Sequence, residues 1–229
     1  MTDMTQAATT TSALETITNL RGPAGRLEAL LNGGAANPPY TVLICHPHPL
    51  GGGTMHNKVV YHAMKAFQAM GLPVLRFNFR GTGLSEGEHD HGRGEQDDVC
   101  AALDWLDKRF HLPILFAGFS FGSYVGMRVC CGDARVKGAV VLGLPVHAEG
   151  RDYKFDFLAD CRIPKLFVSG SRDQYGPKEQ VESVVAHAAP PADLVLAEGA
   201  DHFFVGRLDE VQRAITSWCR AKFLDVAVR

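Results

Sequence analysis

The feature that most limits how this chain can fold is a succession of short, largely apolar runs. They read "YTVLICH" (Tyr40 to His46), "PVLRFNF", "PILFAGF", "KGAVVLGLP", "KLFVSG" and "DLVLAEG". A strand with one wet face alternates apolar and polar side chains, whereas a strand covered on both faces is apolar throughout. Stretches of helical spacing separate most of these runs. The pattern predicts the α/β class, a mainly parallel central sheet flanked by helices on both faces.

The helical stretches are expected from about Asn57 to Met70, with Val60, Met64 and Phe67 on one face, from Glu95 to Phe110, from Phe121 to Cys131, and from Lys178 to Ala188. A last one carries Leu208, Val211, Ile215 and Trp218 at helical spacing. Before the first buried run, Ala13 to Arg21 and Arg26 to Leu31 read as two strands of a hairpin around "GPAG". With 229 residues and no internal repeat, the reading is one domain over residues 13–229, preceded by a polar, Thr-rich and disordered tail at 1–12.

Lys plus Arg number 23 against 25 for Asp plus Glu, so no strong field exists to gather nucleic acid or an anionic membrane. The first residues lack the positive start and apolar stretch of a signal peptide, and no run is long enough to span a bilayer. A cytoplasmic protein is expected. Cys45, Cys100, Cys130, Cys131, Cys161 and Cys219 show no CxxC pairing and lie mostly in apolar segments, so they are expected to be reduced core residues.

Chemistry enters at Gly118-Phe119-Ser120-Phe121-Gly122, a G-x-S-x-G string between an apolar strand and a helical segment. A sharp turn from strand into helix strains the serine backbone and leaves no room for side chains at its flanks, which is why glycines stand there. Ser120 would then be exposed at the strand's carboxyl end, with the Phe121 amide aimed at developing negative charge. A serine hydroxyl needs a base to take its proton. His202, in "EGADHFFVG" before the final helix, fits best, with His147 the alternative. The base needs a carboxylate to hold its tautomer. Asp173 in "SGSRDQYGP" fits the chain order, while Asp201 is too near in sequence to fold back on His202.

The strings "CHPHPLGGGTMHNKVV", "RFNFRGTGLSEG", "GFSFG", "GSRDQYGP" and "DHFF" occur in an order that resembles the α/β-hydrolases. More narrowly, the chain is similar to the small bacterial hydrolases related to the dienelactone-hydrolase branch, whose name-giving members use cysteine where Ser120 stands. The resemblance implies a Ser120, Asp173, His202 triad and no cofactor. Pro47 and Pro49 have no amide hydrogen, which leaves the amides of His48 and Leu50 as candidates for the second oxyanion donor, and the resemblance favours His48.

"HPHP" and "HDH" lack a third well-spaced ligand, so no metal is expected. "GTGLSEG" matches no phosphate-binding pattern and reads as the rim of the site. The connector Val146 to Ile163 is too short for a lid domain. An open, shallow site walled by Phe119, Phe121, Leu50 and Tyr175 follows, suited to small carboxylic esters with short acyl groups. Thioester or peptide hydrolysis, and a non-catalytic binding role, are the competing readings, and self-pairing into a homodimer is left open.

Overall fold

The computed structural model describes residues 13–147, 151 and 153–225. The expected disordered tail lies outside these residues. Ten strands are present among them: β1 (Leu14–Ile17), β2 (Arg21–Gly22), β3 (Gly25–Arg26), β4 (Ala29–Asn32), β5 (Thr41–Cys45), β6 (Val74–Phe77), β7 (Ile114–Phe119), β8 (Val136–Leu142), β9 (Lys165–Gly170) and β10 (Ala192–Ala197). Five helices accompany them: α1 (Lys58–Ala69), α2 (Gly94–Phe110), α3 (Phe121–Cys130), α4 (Lys178–His187) and α5 (Leu208–Cys219).

Eight strands form one sheet in the order β1-β4-β6-β5-β7-β8-β9-β10. From β6 to β10 every neighbouring pair is parallel, and only β4 runs against its neighbours. Side chains of the buried strands divide between the two faces with a period of two, as pleating requires. Leu43, Cys45, Phe116 and Val141 join the core under α2 and α3, while Val42, Ile44, Ala117 and Val140 join the core under α1 and α5. Two cores on one sheet explain why the runs of the inner strands are largely apolar.

The chain leaves β5 toward β6 on one side and returns to β7 on the other. The loops after β5 and β7 therefore diverge and open a crevice at the strands' carboxyl ends, where open α/β sheets bind ligands. Among the described residues no helix is long and apolar enough to cross a membrane.

Two expectations need correction. The first hairpin strand is broken: β1 pairs with β4 and the two-residue β2 with β3, and between them Asn19 Oδ1 accepts a hydrogen bond from Trp105 Nε1 at 2.9 Å. That side-chain bond takes the chain out of the sheet toward α2. The cysteines are also not all reduced core residues. Cys131, just past α3, and Cys161, in the connector before β9, form a disulfide with Cα atoms 4.9 Å apart, and Cys100 is exposed. Their separation of 30 residues hides from the sequence a proximity that only packing creates.

Candidate active site

Ser120 sits between β7 and α3 with φ 54° and ψ −124°, a conformation costly for any residue with a side chain. Its neighbours show why the turn can close. A Cβ on Gly118 would lie 2.6 Å from the Ser123 Cα, and one on Gly122 would lie 2.3 Å from the His46 carbonyl oxygen. Backbone bonds hold the strained residue: Ser120 N–H donates to Leu142 O at 2.9 Å, and Ser123 Oγ donates to Ser120 O at 2.7 Å.

His202 comes from the loop between β10 and α5, and Asp173 from the loop after β9. His202 Nε2 lies 2.9 Å from Ser120 Oγ, and His202 Nδ1 lies 2.8 Å from Asp173 Oδ2. The other carboxylate oxygen, Asp173 Oδ1, accepts the amides of Tyr175 and Gly176 at 2.8 and 3.0 Å, which fixes the carboxylate so that Oδ2 faces the imidazole. All three side chains are buried or nearly so, and the His202 ring packs against Phe119 and Tyr175 with centroids 5.0 and 4.7 Å away. Asp201 is turned elsewhere, its Oδ1 accepting the Val205 amide at 3.0 Å. His147 donates its amide to Tyr175 O and makes no hydrogen bond to Ser120.

The loop after β5 faces Ser120 from the other side. His46 is fully buried; its Nδ1 donates to Pro47 O at 2.6 Å and its Nε2 accepts the Phe79 amide at 3.0 Å. Burial lowers its pKa to about 4, so the ring is neutral and its tautomer is set by those two partners. His48 is also lowered to about 4, first by burial and then by the charges of Arg151, His89 and His91.

Of the two amides expected to complete an oxyanion site, that of Leu50 is already used, donating to His48 Nδ1 at 3.1 Å. The amides of Gly51 and Gly53 donate back to His48 O. Among the described residues no acceptor takes the His48 amide. The Phe121 amide belongs to the first turn of α3, where backbone donors have no intrahelical acceptor.

Ser120 and His202 open into a cleft of about 340 Å³. Of the four side chains expected to wall it, only Tyr175 does so. Phe119 is fully buried beneath His202, Phe121 is buried against Phe79, His48 and His89, and Leu50 is 72% exposed on the outer face of its turn. The walls are instead built by Pro145 after β8, by Arg151 and Tyr153 of the connector, and by Phe203 and Asn57. Phe203 had a signal, its adjacency to His202. Arg151 and Tyr153 had none, because the connector matches no pattern. A wider groove of about 730 Å³ between β2 and α2 touches none of these residues, so volume alone does not mark the site. Among the described residues no group of three or more His, Cys, Asp or Glu side chains is arranged to hold a metal ion.

A mainly parallel sheet with a glycine-flanked serine at the carboxyl end of a central strand defines the α/β-hydrolase class. Residues 40–221 match the alpha/beta hydrolase domain family, and the chain belongs to it. It is 39% identical to an alpha-beta serine hydrolase homologue from Coxiella burnetii, over 89% of this chain and 96% of that one, with a TM-score of 0.79. It is 32% identical to an α/β serine hydrolase without a lid from Xanthomonas campestris, over 93% of this chain and 95% of that one, with a TM-score of 0.80. A protein from Rickettsia prowazekii (strain Madrid E), described as uncharacterised, is 36% identical over 204 residues, 86% of this chain and 85% of that one.

Proposed function

We propose that the protein cleaves small carboxylic esters through an acyl-enzyme on Ser120. The observation that carries this reading is the pair of contacts joining Asp173, His202 and Ser120 at 2.8 and 2.9 Å. Asp173 Oδ2 keeps the proton on His202 Nδ1, which leaves Nε2 free to accept the Ser120 proton as Oγ attacks the carbonyl carbon. The charge that develops on the carbonyl oxygen is met by the amides of Phe121 and His48, and one such donor is worth about 10²–10³ in kcat. When the C–O bond to the alcohol breaks, Nε2–H returns the proton to the leaving oxygen. Water then enters by the same route and frees the acid. The chemistry needs no cofactor.

Replacing Ser120 with Ala removes the nucleophile and leaves the fold, since Ala relieves rather than adds crowding. Ester turnover is expected to fall at least about 10⁴-fold. Matched ester, thioester and amide substrates with the same acyl group then rank the chemistries. A variant that retains a tenth of the wild-type rate contradicts the assignment, and faster thioester or amide cleavage contradicts the ester class.

A further inference from the structure

The cleft at Ser120 does not end at Phe203. Asn57 and Phe203 line it and also line a second depression of about 540 Å³, which continues past them between the start of α1 and the start of α5. Val59, Val205 and Leu208, with Phe203 at the junction, make its apolar side. Thr54, His56 and Lys58 rim it with Asn57 on the other. Two of these side chains face water: Phe203 is 45% exposed and Val205 is 73% exposed. Both stand at the mouth of a depression that is continuous with the cleft at Ser120, where a bound group could cover them.

The backbone is bent to make this surface. Phe204 adopts φ 54°, rare for a bulky residue, and buries its ring completely. That leaves Phe203 and Val205, on either side of it, at the surface. The turn is tied down by Asp201, whose carbonyl accepts the Phe204 amide at 3.1 Å and whose Oδ1 accepts the Val205 amide at 3.0 Å. Asp201 therefore has a use other than orienting His202, and the strain at Phe204 is held in place by hydrogen bonds on both sides.

We propose that this depression takes an unbranched apolar alcohol arm of the ester. The inference rests on the hydrolase reading of Ser120. Its direction follows from proton transfer. His202 Nε2 must reach the leaving oxygen, so the alcohol lies on the His202 side of Ser120, and the depression opens from that side through Phe203, whose ring centroid is 5.3 Å from that of His202. The acyl group is left to the other part of the cleft, beside Pro145, Arg151 and Tyr153.

The test uses the full chain and acetate esters of straight alcohols from ethanol to octanol. These alcohols have nearly the same leaving-group basicity, so differences along the series report binding of the arm. In the wild type kcat/KM is expected to rise about two- to fourfold per methylene, the upper figure being full burial. Val205→Asp, at a position 73% exposed, is expected to flatten that slope, and Val205→Leu to keep it. In a p-nitrophenyl acyl series Val205→Asp is expected to leave the slope as it is in the wild type. A flat alcohol series in the wild type, with hydrolysis that depends on Ser120, overturns the groove alone. A Val205→Asp effect confined to the acyl series overturns the assignment of the arm. Hydrolysis that survives Ser120→Ala overturns the hydrolase reading on which both rest.

Discussion

The loop from His46 to Asn57 is pinned by polar side chains and an amide that reach it from β6 and the residues just beyond, whereas the described residues of the connector are held by ring contacts, one covalent bond and hydrogen bonds to their backbone. In the connector the Ala189 amide donates to Leu158 O at 2.8 Å and Lys165 Nζ to Cys161 O at 2.7 Å. On the first wall, Met55 O accepts from Arg76 Nη1 at 2.9 Å, the Met55 amide donates to Asn78 Oδ1 at 2.8 Å, and His46 Nε2 accepts the Phe79 amide. Asn78 spends its other amide end on Glu28 Oε2 at 2.7 Å. On the second wall, Tyr124 of α3 meets Tyr153 and Phe155 with centroids 4.7 and 5.5 Å away, Arg128 lies over Tyr124 and Phe157, and Cys131 is bonded to Cys161. Tyr124, Arg128 and Cys131 follow at helical spacing, so one face of α3, continued by the residue after it, meets the connector.

Buried hydrogen bonds are directional and tolerate little displacement, while ring contacts have broad minima. In the proposed mechanism the loop after β5 is then the precise wall, and the connector, whose side chains meet α3 through rings, is the adaptable one. Breaking each in turn gives different kinetic signatures. The largest effect is expected from Asn78→Ala, which strips the Met55 amide of its acceptor and frees the loop after β5 that carries the proposed oxyanion donor. A fall of about 10²-fold in kcat with KM little changed is expected in steady-state ester kinetics, because a misplacement of about 1 Å is enough. Loss confined to KM would mean that the loop binds substrate without stabilising charge.

Removing the covalent tie, by replacing Cys131 and Cys161 with Ser together, frees a loop of about 30 residues in the unfolded chain. Chain entropy puts the cost at about 3 to 4 kcal/mol in urea denaturation. On the enzyme the expected signature is a KM raised several-fold with kcat nearly kept, the opposite of Asn78→Ala. A matching fall in kcat would show that the connector also sets the position of Ser120.

A slightly smaller effect follows from the precise wall's buried histidine. In the unfolded chain His46 takes a proton near its ordinary value of 6.5, and in the folded protein only near 4. Between these values the unfolded state binds more protons, so the stability is fully present above pH 6.5 and is lost as pH falls toward 4, by about 3 kcal/mol. Protonation also removes the acceptor for the Phe79 amide. His46→Asn takes the titrating group away, so the stability gap between wild type and variant should shrink by about that amount from pH 7 to pH 4. A gap that stays constant would mean that His46 is not held neutral.

The two walls also differ in how far they could be read in advance. The Ser120 turn is local, a short string whose residue types answer a backbone requirement at that point, whereas Asp173 and His202 were legible through chain order and the β5 loop through the resemblance. Gly118 and Gly122 are examples, since each faces backbone atoms closer than 3 Å to where a Cβ would be. The cleft's other contacts arise from packing between distant segments. Nothing in "RDYKFDFLADC" shows that Tyr124 will stack on it or that Cys161 will meet Cys131. Leu50 and Phe119 stand beside functional residues in the chain, yet strand pleating turns Phe119 into the core and the Pro49–Gly51 turn points Leu50 outward. Adjacency in sequence does not fix the direction of a side chain.

The central claim is that His202 and Asp173 make Ser120 a nucleophile. Treatment with a fluorophosphonate followed by peptide mapping measures this directly. One adduct on Ser120 is expected, formed quickly in the wild type and in Asp201→Asn, and at least about 10³-fold more slowly in Asp173→Asn, where the wrong tautomer is favoured. An adduct on another residue, or equal rates in the two aspartate variants, would contradict the account.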